Sequence, residues 1–313
     1  MLKYIYRRAL QLIPILIGIT IINFGIMYLS PSDPAERELV LRGMMVSQET
    51  LAAMRADMGL DQPFWIQYGR WVKNLFKGDL GTSFASGRPV MVEIGECLPY
   101  TLSLAATAII MTMVVSIPLG LLSAVRQNGI LDYLIRVLTF VGGTMPGFLV
   151  GLLLIYVFGL RLKWQPVISD GSWSSMVLPT ITLALAMTCK YIRQIRAAIL
   201  EELDKEYVWG ARARGVKEKY ILYRNVLKNS MLTIITLLGI SIGYLLGGTA
   251  IVEIIFTWPG MGKLVMEAIN MRDYPIVQGY VIWMAVIFVS VNLITDLSYR
   301  LLNPRIRLSE EVA

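Results

Sequence analysis

The chain contains no histidine and only two cysteines, Cys97 and Cys189. Without imidazole it has no His-ligated zinc, no histidine-held haem, no Ser-His or Cys-His nucleophile pair and no histidine pH switch. Two thiols build neither a disulfide framework nor a four-thiolate metal site. Both sit in or beside apolar runs and read as small buried hydrophobes. Charge is also scarce: charged residues make up 16%, against about 25% in ordinary globular proteins. Phosphate-loop chemistry is missing too. Gly260-Met261-Gly262-Lys263 is followed by Leu264 where a magnesium-binding Ser or Thr belongs, and Thr257 stands where the first glycine belongs. We therefore assign no catalytic residue, no metal ligand and no cofactor to this chain.

What fills the 313 residues is apolar surface, at 56% of the composition with a mean hydropathy of +0.60. It is concentrated in long runs. About 20 apolar residues suffice to cross a hydrocarbon core as a helix. Six spans are read: Ala9–Leu29, Tyr100–Val125, Val137–Leu160, Met176–Cys189 with helix continuing past Lys190, Met231–Phe256, and Pro275–Leu302. The fold class is an all-α integral membrane protein. The first run is too long for a signal-peptide core, and no small-x-small cleavage site follows it. Lys and Arg near span ends set the orientation. Lys3, Arg7 and Arg8, the segment 190–229 and the tail with Arg300, Arg305 and Arg307 fall on one side, which places both termini in the cytoplasm. The formal charge of +7 is thus a topology signal. No basic stripe with interleaved aromatics points to nucleic acid.

Two connecting segments are informative. Residues 31–98 are too long for a simple connector. Ser47 caps a helix ending at Gly59, and Gln62–Phe76 forms an amphipathic second one, followed by a turn at Gly78-Asp79-Leu80-Gly81. This is an extracytoplasmic helical loop domain, packed on the spans or offered to a partner. Segment 190–229 is charged yet patterned: a helix through Glu206, Tyr207, Ala211, Arg212, Ala213 and Arg214, a break at Gly215, then an amphipathic helix leading into the fifth span. Its small residues admit a close-approaching surface, and its charges orient that contact.

Within the spans, Gly239, Gly243 and Gly247 repeat every four residues, the spacing of tight helix packing. Pro118 and Pro146 predict kinks, and Pro146 is a candidate gate. Glu253 and Asp296 are costly in lipid and must face protein or water. Asp296 pairs with Arg300 one turn on, and Glu253 is a candidate pathway residue.

The pattern Glu206-Tyr207-Val208-x-x-Ala211-Arg212-Ala213-Arg214-Gly215, with Asn225 and Leu227 beyond it, resembles the cytoplasmic loop of ABC importer permeases. Trp209, Gly210 and Lys228 replace that motif's glutamate, first alanine and terminal proline, as in the oligopeptide, dipeptide and nickel branch. Leu60-Asp61-Gln62-Pro63, Gly78–Ser83, Thr144–Phe148, Val252–Gly262, Arg272–Pro275 and Asn303-Pro304-Arg305 are similar to the same branch, so the resemblance covers nearly the whole chain. It implies a type I importer architecture in a bacterial cell membrane. The implied partners are a second homologous permease, two cytoplasmic ATPases carrying ATP and magnesium, and an extracellular substrate-binding protein. It also implies that Glu206–Gly215 forms the helix coupling to the ATPases. The implied domain layout is 1–30 (N-terminus and first span), 31–98 (loop domain), 99–302 (permease core) and 303–313 (tail). The spelling around Asp61-Gln62-Pro63, Arg88-Pro89-Val90 and Arg272–Gln278 is closer to the nickel permeases. The implied cargo is nickel, free or chelated, with di- or oligopeptides as the alternative. An independent secondary transporter or channel is the reading from another class, but no inverted repeat supports it.

Overall fold

A computed structural model describes residues 2–29, 33–41, 43 and 45–302. The tail 303–313 and the side chains of Asp296 and Arg300 lie outside the described residues. Among those described, the regular elements are all helices, with one isolated antiparallel bridge between Thr82 and Pro89.

The helices follow the apolar runs. They are α1 (Leu2–Tyr28), α2 (Pro34–Leu41), α3 (Gln48–Met58), α4 (Phe64–Phe76), α5 (Val90–Val125), α6 (Ile130–Thr144) and α7 (Gly147–Leu154). Then come α8 (Val177–Leu203), α9 (Glu206–Ala213), α10 (Glu218–Tyr220), α11 (Leu227–Ile255), α12 (Met261–Met271) and α13 (Tyr274–Leu302). Among the described residues, α5 and the Tyr274–Thr295 part of α13 are each long and apolar enough to cross a membrane, and α6 with α7 forms a third such stretch, though broken.

The kink expected at Pro146 is a sharp break within the stretch read as the span Val137–Leu160. The chain bends by 99° between α6 and the stretch Gly147–Arg161. Met145 is extended (φ −72°, ψ 130°) and Pro146 opens α7. Proline's ring disfavours helical backbone at the residue before it and removes one N–H donor. A turn of π-helix, Ile155–Arg161, continues α7. By contrast α5 runs through Pro118 as one helix.

The chain divides into two compact units. The first comprises residues 1–101 and 259–290. Its core joins Val90 and Ile94 of α5 to Met261 and Ala268 of α12, Ile276 of α13 and Leu80. Gly279 lies so close to Val90 that a Cβ there would sit 2.6 Å from Val90 Cγ1. Asp273 pins the loop after α4: Ser83 Oγ donates to it at 2.5 Å, and the Phe84 and Ala85 amides donate at 3.2 Å each. The aromatic face of α4 rests on α1, with Phe24 5.5 Å from Phe64 and 5.7 Å from both Tyr68 and Trp71. Ser47 and Gly59 cap α3 as the sequence requires: Ser47 accepts from the Thr50 amide, and Gly59 takes the left-handed conformation at φ 68°.

The second unit comprises residues 102–258 and 291–313. Here α8 is the hub, packed by α5, α6, α7 and α11. Gly120 of α5 admits Ile195, whose Cγ2 would lie 2.7 Å from a Cβ at 120, and Gly142 of α6 admits the Cys189 sulfur in the same way. Asp132 of α6, fully buried, accepts two hydrogen bonds from Arg196 at 2.8 and 2.9 Å. Ser123 Oγ and the Asn128 amide fill its remaining lone pairs at 2.5 and 3.0 Å. A buried carboxylate persists only when paired and hydrogen-bonded in this way.

Candidate functional site

The segment 204–230 combines a fixed inner face with an exposed outer one. α9 has eight residues, too few to be stable alone. Its stability comes from Val208 and Ala211, 0% and 3% exposed, which enter a core with Tyr191, Ile195 and Ile199 of α8, Leu121 and Ala124 of α5, Ile221 and Val226, and Ile234 of α11. Any displacement of α9 therefore moves against four other helical elements at once.

Polar bonds fix its ends. Tyr207 Oη donates to Glu202 Oε2 at 2.8 Å and accepts from Asn229 Nδ2 at 3.2 Å, tying α9 to the end of α8 and the start of α11. Burial, and then Glu202 beside it, push the Tyr207 hydroxyl pKa up, so it remains a donor. Lys205 pairs with Glu202. Gly215 ends the element at φ 74°, with its own amide donating to Arg212 O at 2.9 Å and the Val216 amide to Ala211 O at 3.2 Å. A Cβ at 215 would meet open space, so the backbone conformation alone requires glycine there. Arg212 spans this turn to Glu218 with two bonds of 2.6 and 3.2 Å, which hold the Glu218 carboxyl below its usual pKa.

The outer face presents Glu206, Trp209, Arg212, Ala213 and Arg214, all exposed. Trp209 is 62% exposed, and the Arg212 guanidinium stands 5.8 Å from its ring centroid. A large exposed indole beside guanidinium groups on a fixed short helix has the composition of an interface anchor.

The other sequence-chosen residues do not gather there. Gly239 is buried, and a Cβ on it would lie 2.1 Å from Thr295 Cγ2, whereas Gly247 faces open space and Gly243 is half-buried. Pro146 stands at the 99° bend. Glu253 is fully buried in the last turn of α11, in a stretch whose Val252 and Phe256 pack with Leu178.

Sequence reasoning missed a cavity of about 860 Å³ in the first unit. Its wall includes Phe24 and Trp71, the carboxylates Asp61 and Asp79, and Arg70. Arg70 lies across Gly59, its Nη1 2.1 Å from where a Cβ would stand, so Gly59 serves both the α3 cap and the placement of this guanidinium. No local pattern pairs Gly59 with Arg70.

Two family models match. Residues 116–308 match the binding-protein-dependent transport system inner membrane component, and residues 1–105 match the N-terminal part of such membrane components. The chain belongs to this family of ABC importer permeases. It is similar to the glutathione transport system permease protein GsiC of Salmonella paratyphi A, at 36% identity over 98% of this chain and 99% of that one. It is equally similar to the dipeptide transport system permease protein DppB of Alkalihalophilus pseudofirmus, at 36% over 98% and 100%. Among solved structures, a chain of the MetNI methionine ABC transporter in an inward facing conformation matches with a TM-score of 0.59 at 15% identity, covering 68% of this chain and 97% of that one. That last likeness concerns the fold. The chain is thus a membrane-embedded, non-catalytic transport subunit with a type I importer fold, of a family whose members work with ATPases and binding proteins.

Proposed function

We propose that this permease carries short peptides, of dipeptide or glutathione size, across the cytoplasmic membrane of a bacterium. It does so with a second permease, two ATPases and an extracellular binding protein. The observation that carries this reading is the match over 98% of the chain to permeases named for dipeptide and glutathione transport. Nickel, placed first by the motif spelling, falls to second place. Neither relative is named for it, and among the described residues no three Asp, Glu or Cys side chains come together as a metal-holding group.

On this reading α9 is the coupling element. Its buried side joins α5, α8 and α11, and its exposed Trp209 and Arg212 engage the ATPase. Nucleotide-driven motion of the ATPase then moves the spans as packed bodies. Both termini lie in the cytoplasm, the loop domain 31–98 faces outward, and the bend at Pro146 and the buried Glu253 belong to the pathway.

The test is ATP-dependent uptake by the chain reconstituted with its partner subunits in proteoliposomes. Labelled dipeptide, labelled glutathione and nickel are offered separately. Uptake of a peptide, competed by other short peptides and not by nickel, is expected. Uptake of nickel alone would overturn the substrate assignment and leave the importer architecture standing.

A further inference from the structure

We propose that the groove between α6 and α8 binds an anionic phospholipid. The groove has a volume of about 460 Å³ and is lined by Tyr133, Arg136, Val137, Phe140, Arg193 and Arg196. Its three guanidinium groups face one carboxylate, Asp132, whose oxygens are already filled by Arg196, Ser123 and the Asn128 amide. Arg136 approaches Asp132 only to 3.6 Å, beyond hydrogen-bond range, and otherwise stands 6.0 Å from the Tyr133 ring centroid. Arg193 donates one long bond, 3.4 Å, to Thr139 O. Three positive charges thus face one negative charge, which Arg196 bonds and Arg136 only approaches as an ion pair, and among the described residues most N–H donors of Arg136 and Arg193 have no hydrogen-bond partner.

Beside them the wall is apolar and open: Tyr133, Val137 and Phe140 are 62%, 41% and 64% exposed. Both helices carry these arginines at the end of an uncharged run. Arg136 immediately precedes the uncharged run Val137–Leu160, and Arg193 and Arg196 follow the uncharged run Val177–Cys189. This is the boundary between hydrocarbon and headgroup, on the cytoplasmic side in the proposed topology. A phosphate with acyl chains satisfies both halves of the site. The guanidinium forks take the phosphate oxygens, and Val137 and Phe140 take the chains. A free phosphate satisfies only the first half. The proposal does not depend on which cargo the permease carries, so the uptake assay and the test below fail independently.

The test is native mass spectrometry of the full chain titrated with dioleoyl phosphatidylglycerol and, separately, dioleoyl phosphatidylcholine. The wild-type chain is expected to retain phosphatidylglycerol with about tenfold preference. In R136Q/R193Q, checked for folding by its melting temperature, that preference falls to within about twofold, whereas R136K/R193K keeps most of it. If the double variant does not fold, R136Q and R193Q taken singly each lower the preference. Arg196 is left intact because it holds Asp132. Unchanged preference in a folded Gln variant overturns the proposal. So does complete displacement by millimolar inorganic phosphate, which would make this a plain anion site. So does loss of the bound lipid when the second permease is added, which would make the groove a subunit contact.

Discussion

Two segments between the long helices look alike in composition and are built in opposite ways. Both are charged, both carry an exposed tryptophan, and both form short helices. In the segment around α9, Val208 and Ala211 are buried in a core drawn from several helices, and Ile221 and Val226 complete it. In the segment 31–98, α3 and α4 contain no buried residue at all. α4 rests on α1 through ring edges and leaves Trp65 67% exposed. The outer face of the first cannot shift without repacking several helices. In the second, only the α3–α4 part is held by half-buried contacts, whereas Leu80, Ser83, Val90 and Ile94 further along join the segment to residues 261–276. On the proposed function, the first construction suits coupling to the ATPases, and the looser α3–α4 part suits a docking surface.

The contrast is open to direct attack. The largest expected effect is at the α9 core. Ile221→Ala removes a fully buried side chain, costs about 2–5 kcal/mol, and lowers the melting temperature of the purified chain while exposing α9 to hydrogen exchange. Equal exchange in wild type and variant would break the distinction between the segments. Next is the pin of the outer segment. Asp273→Ala orphans the Ser83 hydroxyl and two amides, at about 1–3 kcal/mol, and is expected to raise exchange in residues 82–86 while leaving α9 protected. Third is Gly215→Ala. The space there is open, so the cost is the left-handed backbone alone, about 1–2 kcal/mol, yet uptake per ATP hydrolysed is expected to fall because the turn sets α9's direction. Unimpaired uptake would deny α9 a coupling role.

The smallest effect is the staple across that turn. The Glu218 carboxyl is held below the usual carboxylate range because Arg212 donates to it. A lowered folded-state value contributes stability above the unfolded value, lost only as pH falls through the folded one. Both partners are well exposed to solvent, so the contribution is small. The melting temperature difference between wild type and Glu218→Gln is expected to stay constant from pH 8 to about 5 and to shrink below about pH 4. A difference that already shrinks between pH 7 and 5 would mean the staple is not formed.

Much of this was legible in the sequence, where the signal is local. Ser47 and Gly59 marked both ends of α3, and Gly215 marked the break after α9. The apolar runs located the long helices, because hydrocarbon length and helix rise leave little freedom. The misses are long-range or unpatterned. The break at Pro146 was expected as a kink, whereas its size follows from the packing of α6 and α7 on α8. α2 and α12 were missed as helices. α12 buries Met261, Val265 and Ala268 at helical spacing. Asp132 and Arg196 stand 64 positions apart, and Ser83 and Asp273 stand 190 apart. No periodicity links such pairs, although each member is a charged or polar residue that burial obliges to find a partner.

In the proposed function, the outer face of α9 docks the ATPase. It is tested most directly by measuring how much partner ATPase co-purifies with Trp209→Glu/Arg212→Glu in the assembled importer. Both residues are exposed and only the weak Arg212–Glu218 staple is lost, so the chain itself is expected to melt only slightly below the wild type. The account predicts at least a tenfold loss of bound ATPase, about 1.4 kcal/mol or more of association, with binding-protein recruitment unchanged. Full ATPase retention in that variant would contradict it.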